Sequence, residues 1–364
     1  MKRRIWLTLV FLLLAGLSVG AYLEEGQSGP KTPLPRPWPT PYPSDVCGAR
    51  EAVMEMIDGV RLADMQWRQG VALYPVMADP WRGDGSITSL DRAMRKGRLE
   101  VRERGGGSVP WLDVKNNLRK PVLLMAGEIL KGGKQNRLVA NDYLVPPRSG
   151  WTSVPVFCGE QHRWSGGSAG IFKSSKTMVP AAMRRDLAEG AAQDSIWRKA
   201  GEEISRFGAS TKTQNIQKVY ENSELGRALK CFHGGNWTHF PRRTVGMVVM
   251  GGGRVLGVEV YANEKLFHDN WRKVLDSLLA GYPPVLTACR RGNSYEKKIY
   301  GDYERQRALN ALQDLANSRF VAGPDGGDGC CAHVRNPGGL SGQTLINNNA
   351  LTHIGVISYV SLIK

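Results

Sequence analysis

Residues 121–164 have the sequence PVLLMAGEILKGGKQNRLVANDYLVPPRSGWTSVPVFCGEQHRW. They contain three short apolar runs, rich in Val and Leu and bounded by Gly, Pro or Asn, at 121–125, 138–145 and 154–158. Runs of this length and composition predict buried β-strands. Two polar clusters, at 128–137 and 160–164, lie at the ends of these strands. Because proteins usually place binding and catalytic side chains at strand ends and in loops, this stretch predicts a functional site.

The side chains of the two polar clusters suit a small anionic ligand. Lys134 and Arg137 would hold a phosphate or carboxylate, the guanidinium as a two-pronged donor. Glu128 and Glu160 are the candidates for general acid–base catalysis. The candidate ligand-binding residues are Lys134, Gln135, Asn136, Arg137, Arg163 and Trp164. Adjacent antiparallel strands return the chain to the same sheet edge, so both clusters are expected to meet around one site.

Two other interpretations of these residues stay open. The chain could be a non-catalytic envelope module that binds a glycan or a protein. Alternatively, Glu128 and Glu160 could pair with Lys134, Arg137 and Arg163 only to fasten the strand ends. A ligand site needs an open pocket with free donors, whereas a structural network needs the donors consumed by the acids.

Composition limits the fold and the partners. The 364 residues include 43 Gly and 20 Pro, which indicates many turns and short strands and argues against a helical bundle. The formal net charge is +16, and +13 remains without Lys2, Arg3 and Arg4 of the leader described below. This excess favours a small anionic ligand or an acidic surface as partner. No run of five basic residues occurs, so specific nucleic-acid binding is not expected.

The N-terminal segments predict export. Residues 1–21 combine a basic start, an apolar run and small residues before Ala21, which is typical of a signal peptide. Residues 22–46 have Pro at nearly every second position and predict an extended spacer. Residues 47–364 are then expected to form a single domain. The expected location is secreted, periplasmic or in the cell envelope, with membrane contact only through an uncleaved leader; the oligomeric state stays open.

Six cysteines allow up to three disulfides in an exported chain. Cys158 is expected to be the one left free, because it lies in the predicted strand before the second polar cluster. Cys158 with His162, and Cys231 with His233 and His239, do not match a paired metal-ligand spacing, so neither a metal nor a cofactor is expected. A Cys158 nucleophile assisted by His162 is a further alternative.

The remaining pattern predicts an α+β fold. Strand candidates around 60–165 suggest an antiparallel, sandwich-like β core, with helices over 180–220 and 264–280 packed on it and a C-terminal β-hairpin. Gly251, Gly252 and Gly253 join two apolar runs. Because a strand follows these glycines, they predict a hairpin turn rather than a phosphate-binding loop, which should open a helix.

Several of these motifs resemble a known family, the domain associated with ADP-ribosylglycohydrolase and rhodanese-type phosphatase genes. The motifs that carry the resemblance are Gly127-Glu128, Lys134-Gln135-Asn136-Arg137, Leu144-Val145-Pro146, Val156-Phe157-Cys158-Gly159-Glu160, Arg163-Trp164, Gln193 with Trp197, the run 257–279 and a terminal hairpin with His353. The similarity covers roughly residues 70–364. The gene association implies a role in ADP-ribose or nucleotide metabolism, and the family has no established activity. The leader, the Pro-rich spacer and Gly-rich residues near Cys330 depart from the family pattern.

Overall fold

A computed structural model describes residues 46–79, 81, 83–105, 109–164, 171–221, 223–234, 238–288 and 301–358. The predicted leader and all but the last residue of the predicted spacer lie outside these ranges. Within them, no helix is both long and apolar enough to cross a membrane.

The described chain alternates between groups of strands and groups of helices. In chain order the strands are β1 (Val60–Leu62), β2 (Gln66–Arg68), β3 (Val71–Ala78), β4 (Thr88–Ser89), β5 (Leu99–Glu103), β6 (Trp111–Asn116), β7 (Val122–Leu124), β8 (Glu128–Gly132), β9 (Arg137–Val139), β10 (Tyr143–Val145), β11 (Trp151–Cys158), β12 (Phe172–Met178), β13 (Thr244–Gly251), β14 (Arg254–Tyr261), β15 (Arg319–Gly326), β16 (Gly329–Arg335), β17 (Leu340–Asn347) and β18 (Ala350–Ser358). The helices are α1 (Ala49–Asp58), α2 (Leu90–Arg95), α3 (Ala181–Ala188), α4 (Gln193–Arg206), α5 (Lys218–Glu221), α6 (Glu224–Phe232), α7 (Glu264–Ala280), α8 (Pro284–Ala288) and α9 (Gly301–Gln313).

The largest sheet takes strands from both ends of the described chain. Its order is β1-β3-β13-β14-β18-β17-β16-β15, with β2 also paired to β3, and all of its pairs are antiparallel. Alternation along each strand divides the apolar side chains between two cores. In β3, for example, Leu73 faces one core and Tyr74 faces the other. The predicted α+β class is therefore confirmed, with a sheet that extends well beyond residues 60–165.

Helices cover both faces of the large sheet. On one face α1 and α9 contribute Met56 and Leu312 to the core that includes Tyr74. On the other face α7 packs Phe267 and Val274 into the second core. The apolar face of α7, which includes Phe267 and Trp271, thus packs against the core. Helix α7 also places a charged residue, Lys273, on this buried face.

A second, smaller sheet curves into a barrel. Its order is β12-β8-β9-β11-β6-β5, and a bridge between Arg102 and Ile171 brings its two edges together. Alternate residues of these strands, such as Leu112 and Val156, point into one apolar core. The three-stranded sheet β10-β7-β4 contributes to the same core through Leu124.

The apolar run 138–145 is two strands rather than the single strand predicted. Strand β9 stays in the barrel, whereas β10 pairs with β7 in the three-stranded sheet. The polar residues Asn141 and Asp142 separate them, and the backbone N–H of Asp142 donates to Gln343 Oε1 at 2.9 Å. As a consequence, β9 pairs directly with β11, the strand that leads into the second polar cluster.

Both predicted hairpins are confirmed. Strands β13 and β14 are joined through Gly252 and Gly253, with φ of 58° and 74°, a left-handed conformation that favours glycine. Strands β17 and β18 turn through Asn348 and Asn349, also at positive φ. The last described strand ends at Ser358.

The structure contains the expected disulfide bonding and a free Cys158, and it leaves a second cysteine, Cys331, free as well. A disulfide joins Cys47 to Cys330, with Cα atoms 6.0 Å apart across a sequence separation of 283 residues. Cys231 is disulfide-bonded as well. Cys158 and Cys331 are free and buried.

Replacing both Cys47 and Cys330 by Ser is expected to lower the free energy of unfolding by about 2–4 kcal/mol, because the bridge restricts the unfolded chain over a long loop. Urea unfolding of the double variant measures this loss. Reducing the unmodified protein should lower its stability by at least as much, because reduction also breaks the disulfide of Cys231. Equal stability of the two proteins under oxidising conditions would show that the bridge contributes nothing.

Candidate functional site

Strand pairing places the predicted site at one end of the barrel. Arg137 begins β9 and lies opposite Cys158, the last residue of β11. Arg137 lies two residues before Val139, and Cys158 lies two residues after Val156, and both valines point into the barrel core. Because every second side chain of a strand points to the same side, Arg137 and Cys158 also point toward the barrel interior. We call this end the barrel mouth and define it as Glu103, residues 133–137, Cys158 and residues 160–164.

Arg137 is a buried cation without an acidic partner in the part of the chain that the structure describes. Its side chain has no solvent exposure. Nη1 donates to Gln135 Oε1 at 3.0 Å and to Cys158 Sγ at 2.8 Å. Among the described residues, Nε and Nη2 have no hydrogen-bond partner, and no carboxylate forms a salt bridge with the guanidinium. Because buried charges are normally paired, this arrangement is unfavourable as it stands.

Cys158 does not supply the missing negative charge. Burial raises the pKa of its thiol to about 11, although the charge of Arg137 acts in the opposite direction. The thiol donates to Gln135 Oε1 at 3.0 Å. The side-chain amide of Gln193, at the start of α4, accepts from the backbone N–H of Cys158 at 2.8 Å and donates to its carbonyl at 3.3 Å. At neutral pH the Cys158 side chain is therefore a neutral group held in place on both sides.

Glu160 is held by other residues of the site. Arg163 Nε donates to Glu160 Oε2 at 2.8 Å, and Thr213 Oγ1 donates to Oε1 at 2.5 Å. The same arginine reaches Gly133 O at 3.0 Å and Asn136 Oδ1 at 3.1 Å. Arg163 thus ties the β8–β9 turn to the segment after β11. Of the first polar cluster, residues 134–137 lie together with residues 160–164, as expected, whereas Glu128 does not.

Lys134 and Trp164 form the outer part of the mouth. The Lys134 ammonium lies 5.3 Å from the centroid of the Trp164 ring, which is 45% exposed. The backbone N–H of Lys134 donates to Glu103 Oε1 at 2.6 Å. Gln135 Nε2 donates to the carbonyl of Gln161 at 3.4 Å, so all of residues 134–137 have contacts at the mouth or face it.

The structure does not bring Glu128 into these contacts. Glu128 is buried at the start of β8, where Oε2 accepts from the backbone N–H of Met125 at 2.8 Å. Its Oε1 contacts Lys273 Nζ of α7, which also donates to Asp91 Oδ2 at 2.8 Å. Two carboxylates therefore share one buried ammonium.

The pKa values of this group follow from its burial and its charges. Burial by itself lowers the pKa of Lys273, but Glu128 and Asp91 outweigh it and raise the pKa. Burial is likewise outweighed at Asp91, where Lys273 lowers the pKa. At Glu128 burial prevails and raises the pKa. One cation cannot fully compensate two buried acids, so Asp91 is the more readily ionised of the two.

A second network of buried charged side chains is centred on strands β14 and β18 of the large sheet. His353 Nδ1 lies 2.5 Å from Asp142 Oδ2, and its Nε2 lies 2.8 Å from Glu259 Oε2. Because both ring nitrogens face carboxylates, both carry protons and the ring is an imidazolium. Burial alone would lower the pKa of His353, but the two carboxylates raise this pKa to about 9. Arg184 Nη2 donates to Glu259 Oε1 at 2.6 Å, and Tyr261 stacks on the imidazole at a centroid distance of 4.8 Å.

Sequence reasoning missed most of these buried charges. His353 is identified from the sequence only through the family resemblance, and neither Lys273 nor Glu259 is among the predicted site residues. One signal was available for each of the last two. Lys273 lies on the apolar face of α7, and Glu259 interrupts an apolar strand, positions where a charged residue needs a buried partner.

An open cleft of about 450 Å³ lies beside the mouth. Its lining residues are Gln161, Asp194, Trp197, Arg198, Gly201 and Gln214. Gln161 belongs to the mouth, and its carbonyl accepts from Gln135, which in turn holds Arg137. The Trp197 Nε1–H is buried without a hydrogen-bond partner in the described part of the chain. That part also contains no group of three His, Cys, Asp or Glu side chains arranged to hold a metal ion.

The family model of the ARG and Rhodanese-Phosphatase-superfamily-associated Protein domain, ARPP-1, matches residues 59–355. The chain belongs to this family. The ARPP-1 match starts directly after α1 and includes the barrel, its mouth and His353, which confirms the resemblance inferred from the motifs. Cys47 lies outside it, so the disulfide to Cys330 joins a flanking segment to the ARPP-1 domain. No curated protein and no solved structure matches this chain.

Proposed function

We propose that the barrel mouth binds a small anionic ligand, with Arg137 as its deepest donor. The observation that carries this proposal is the buried guanidinium whose Nε and Nη2 have no hydrogen-bond partner, and which has no carboxylate partner, among the described residues. Leaving a buried charge unpaired is strongly unfavourable. Phosphate or carboxylate oxygens would neutralise the charge and accept hydrogen bonds from Nε and Nη2 in a two-pronged contact.

The surroundings of Arg137 support a ligand of nucleotide or sugar-phosphate size. Lys134 adds positive charge at the outer part of the mouth, whereas the charge of Arg163 is balanced by Glu160. The neighbouring cleft, about 450 Å³, falls within the usual range for small-molecule sites. Gln135 would orient Arg137, and Asn136 would orient Arg163, through the hydrogen bonds that they already make.

Binding has more support than catalysis by the two glutamates. Glu128 is engaged by Lys273, and Glu160 by Arg163 and Thr213, so both acids have structural partners. The structural interpretation therefore accounts for the acids. It does not account for Arg137, which no acid in the described part of the chain neutralises.

We also propose that the protein is exported and acts outside the cytoplasm. The disulfide between Cys47 and Cys330 supports this location, because such bridges form and persist in oxidising compartments. The basic and apolar pattern of residues 1–21 supports it independently.

Replacing Arg137 by Met is expected to abolish binding and to raise the free energy of unfolding of the ligand-free protein by about 1–4 kcal/mol, because an apolar side chain of similar length removes an unpaired buried charge. Urea unfolding measures the stability. Isothermal titration against inorganic phosphate, nucleotides and sugar phosphates measures the binding.

Arg163→Met is the matched control for this prediction. It removes a partner of the buried Glu160 carboxylate and is expected to lower the stability by about 1–3 kcal/mol. If Arg137→Met lowers the stability as much as this control does, Arg137 serves the structure. If no anion in the panel binds the unmodified protein, the proposed function is wrong.

A further inference from the structure

The end of the barrel opposite the mouth carries a concentration of positive charge. Strand β5 runs from this end to Glu103 at the mouth, and β11 runs from Trp151 here to Cys158. We call it the basic end and define it by seven cations and one tryptophan: Arg95, Lys96, Arg98, Lys115, Arg119, Lys120, Arg148 and Trp151.

Backbone contacts bring three separate loops together at the basic end. The N–H of Asn117 donates to the carbonyl of Arg98 at 2.9 Å, and the N–H of Arg148 donates to that of Leu118 at 2.7 Å. The side-chain amide of Asn116 donates to the carbonyl of Lys120 at 2.8 Å. Cations that are scattered over more than fifty residues of sequence therefore lie at one end of the fold.

These charges are exposed and are not neutralised by neighbouring acids. All of the cations except Lys115 are exposed. The segments 95–100, 115–120 and 146–151 contain one carboxylate, Glu100, which accepts from Asn117 Nδ2 at 2.6 Å. No salt bridge between described residues involves the seven cations; the nearby pairs are made by Arg102 with Asp113 and by Arg92 with Asp269. The result is a strongly positive surface.

The exposed aromatic ring at this end does not offer an open stacking platform. Trp151 is 40% exposed, but two cations lie against its ring: the guanidinium carbon of Arg102 is 3.8 Å and Lys115 Nζ is 5.9 Å from the ring centroid. Proteins that bind single-stranded nucleic acid stack bases on open aromatic rings. At the basic end, recognition depends instead on charge, together with an amphipathic Trp of the kind enriched at membrane interfaces.

We propose that the basic end docks the protein on the surface of an anionic phospholipid bilayer. Such a surface presents many negative headgroups in one plane, which loops at one end of a barrel can meet simultaneously. Each Lys or Arg near an anionic bilayer strengthens binding about fivefold. The sequence placed membrane contact only in residues 1–21, whereas the fold adds a second contact surface. This docking does not depend on an anion site at the mouth, which lies at the other end of the barrel.

The triple variant Arg98→Gln, Arg119→Gln, Lys120→Gln tests the docking surface. The full chain is sedimented with vesicles of phosphatidylcholine, with or without phosphatidylglycerol. The unmodified protein is expected to prefer the anionic vesicles, and the triple variant to bind them about 100-fold more weakly. Binding of the unmodified protein should also fall between about 0.1 M and about 1 M salt, where the Debye length shortens from about 10 Å to about 3 Å.

A second triple variant, Arg227→Gln, Lys230→Gln, Arg254→Gln, is the control, because it removes the same number of exposed charges elsewhere. It should bind anionic vesicles as the unmodified protein does, and all three proteins should melt at the same temperature. Residues 1–21 are common to all three, so differences between them report the basic end. Equal vesicle binding by the two triple variants overturns the proposal. So does a loss in the first variant that affects only binding to heparin or single-stranded DNA, which would assign the surface to a polyanion.

Discussion

Replacing Lys273 by Met is expected to lower the free energy of unfolding by about 3–5 kcal/mol, because the change leaves two buried acids without a cation. Lys273 is 3% exposed in its side chain and contacts both Glu128 and Asp91. The two carboxylates come from different elements, β8 and the start of α2, so the ammonium of α7 fastens the barrel to the helical layer. Urea unfolding at neutral pH measures the loss.

Lys218→Met is the matched control for Lys273→Met. Lys218 pairs with Glu221 at 2.6 Å on the surface, with both side chains about a third exposed, and its loss is expected to cost no more than about 1 kcal/mol. A Lys273 variant that also carries Glu128→Gln and Asp91→Asn should recover part of the stability, because it no longer contains uncompensated charges. Equal effects of the Lys273 and Lys218 variants would show that the buried group does not hold the layers together.

The stability of the protein is expected to fall by about 3 kcal/mol between about pH 6.5 and about pH 9 through His353 alone. The pKa of His353 is raised from 6.5 to about 9 in the folded state. The charged ring therefore contributes its full stabilisation below about pH 6.5. That contribution is lost as the pH rises toward 9, where the folded protein also gives up the proton and both Asp142 and Glu259 lose their shared cation.

Urea unfolding across this pH range tests the effect. His353→Gln should be less stable at neutral pH, and its stability should lack the decline on the alkaline side. His333 provides an internal comparison, because its pKa is shifted in the opposite direction: burial lowers it to about 4. Through His333 the stability of the protein is therefore expected to fall as the pH falls from about 6.5 toward 4. A flat stability profile of the unmodified protein between pH 6.5 and pH 9 would contradict the protonated His353.

Much of the local structure follows from short-range pattern. The Ser89 cap of α2, the Gly252-Gly253 hairpin and the apolar stripe of α7 depend on residues within one or two turns of the chain. The strand run at 138–145 was misjudged because its break depends on a distant contact, the hydrogen bond from Asp142 to Gln343 across 201 residues.

The candidate site likewise has one part that strand pairing predicts and another part that depends on contacts distant in sequence. The clusters at 134–137 and 160–164 were predictable as neighbours, because antiparallel strands that lead into them bring their ends to one edge. The partner of Glu128 was not predictable, since Lys273 is 145 residues away. His353 likewise meets Asp142 across 211 residues and Glu259 across 94.

The amino-acid sequence by itself determined the family, the α+β class, the free Cys158 and the polar residues of the mouth, because strand alternation, turn residues and motif spacing are local properties. Only the tertiary structure decided which cation each buried acid meets. Among the described residues it left Arg137 without an acidic partner, and it gathered seven cations at the basic end although no run of five occurs in the sequence. Charge pairing acts through space, so the packing of distant elements determines which charges are neutralised and which remain available to a partner.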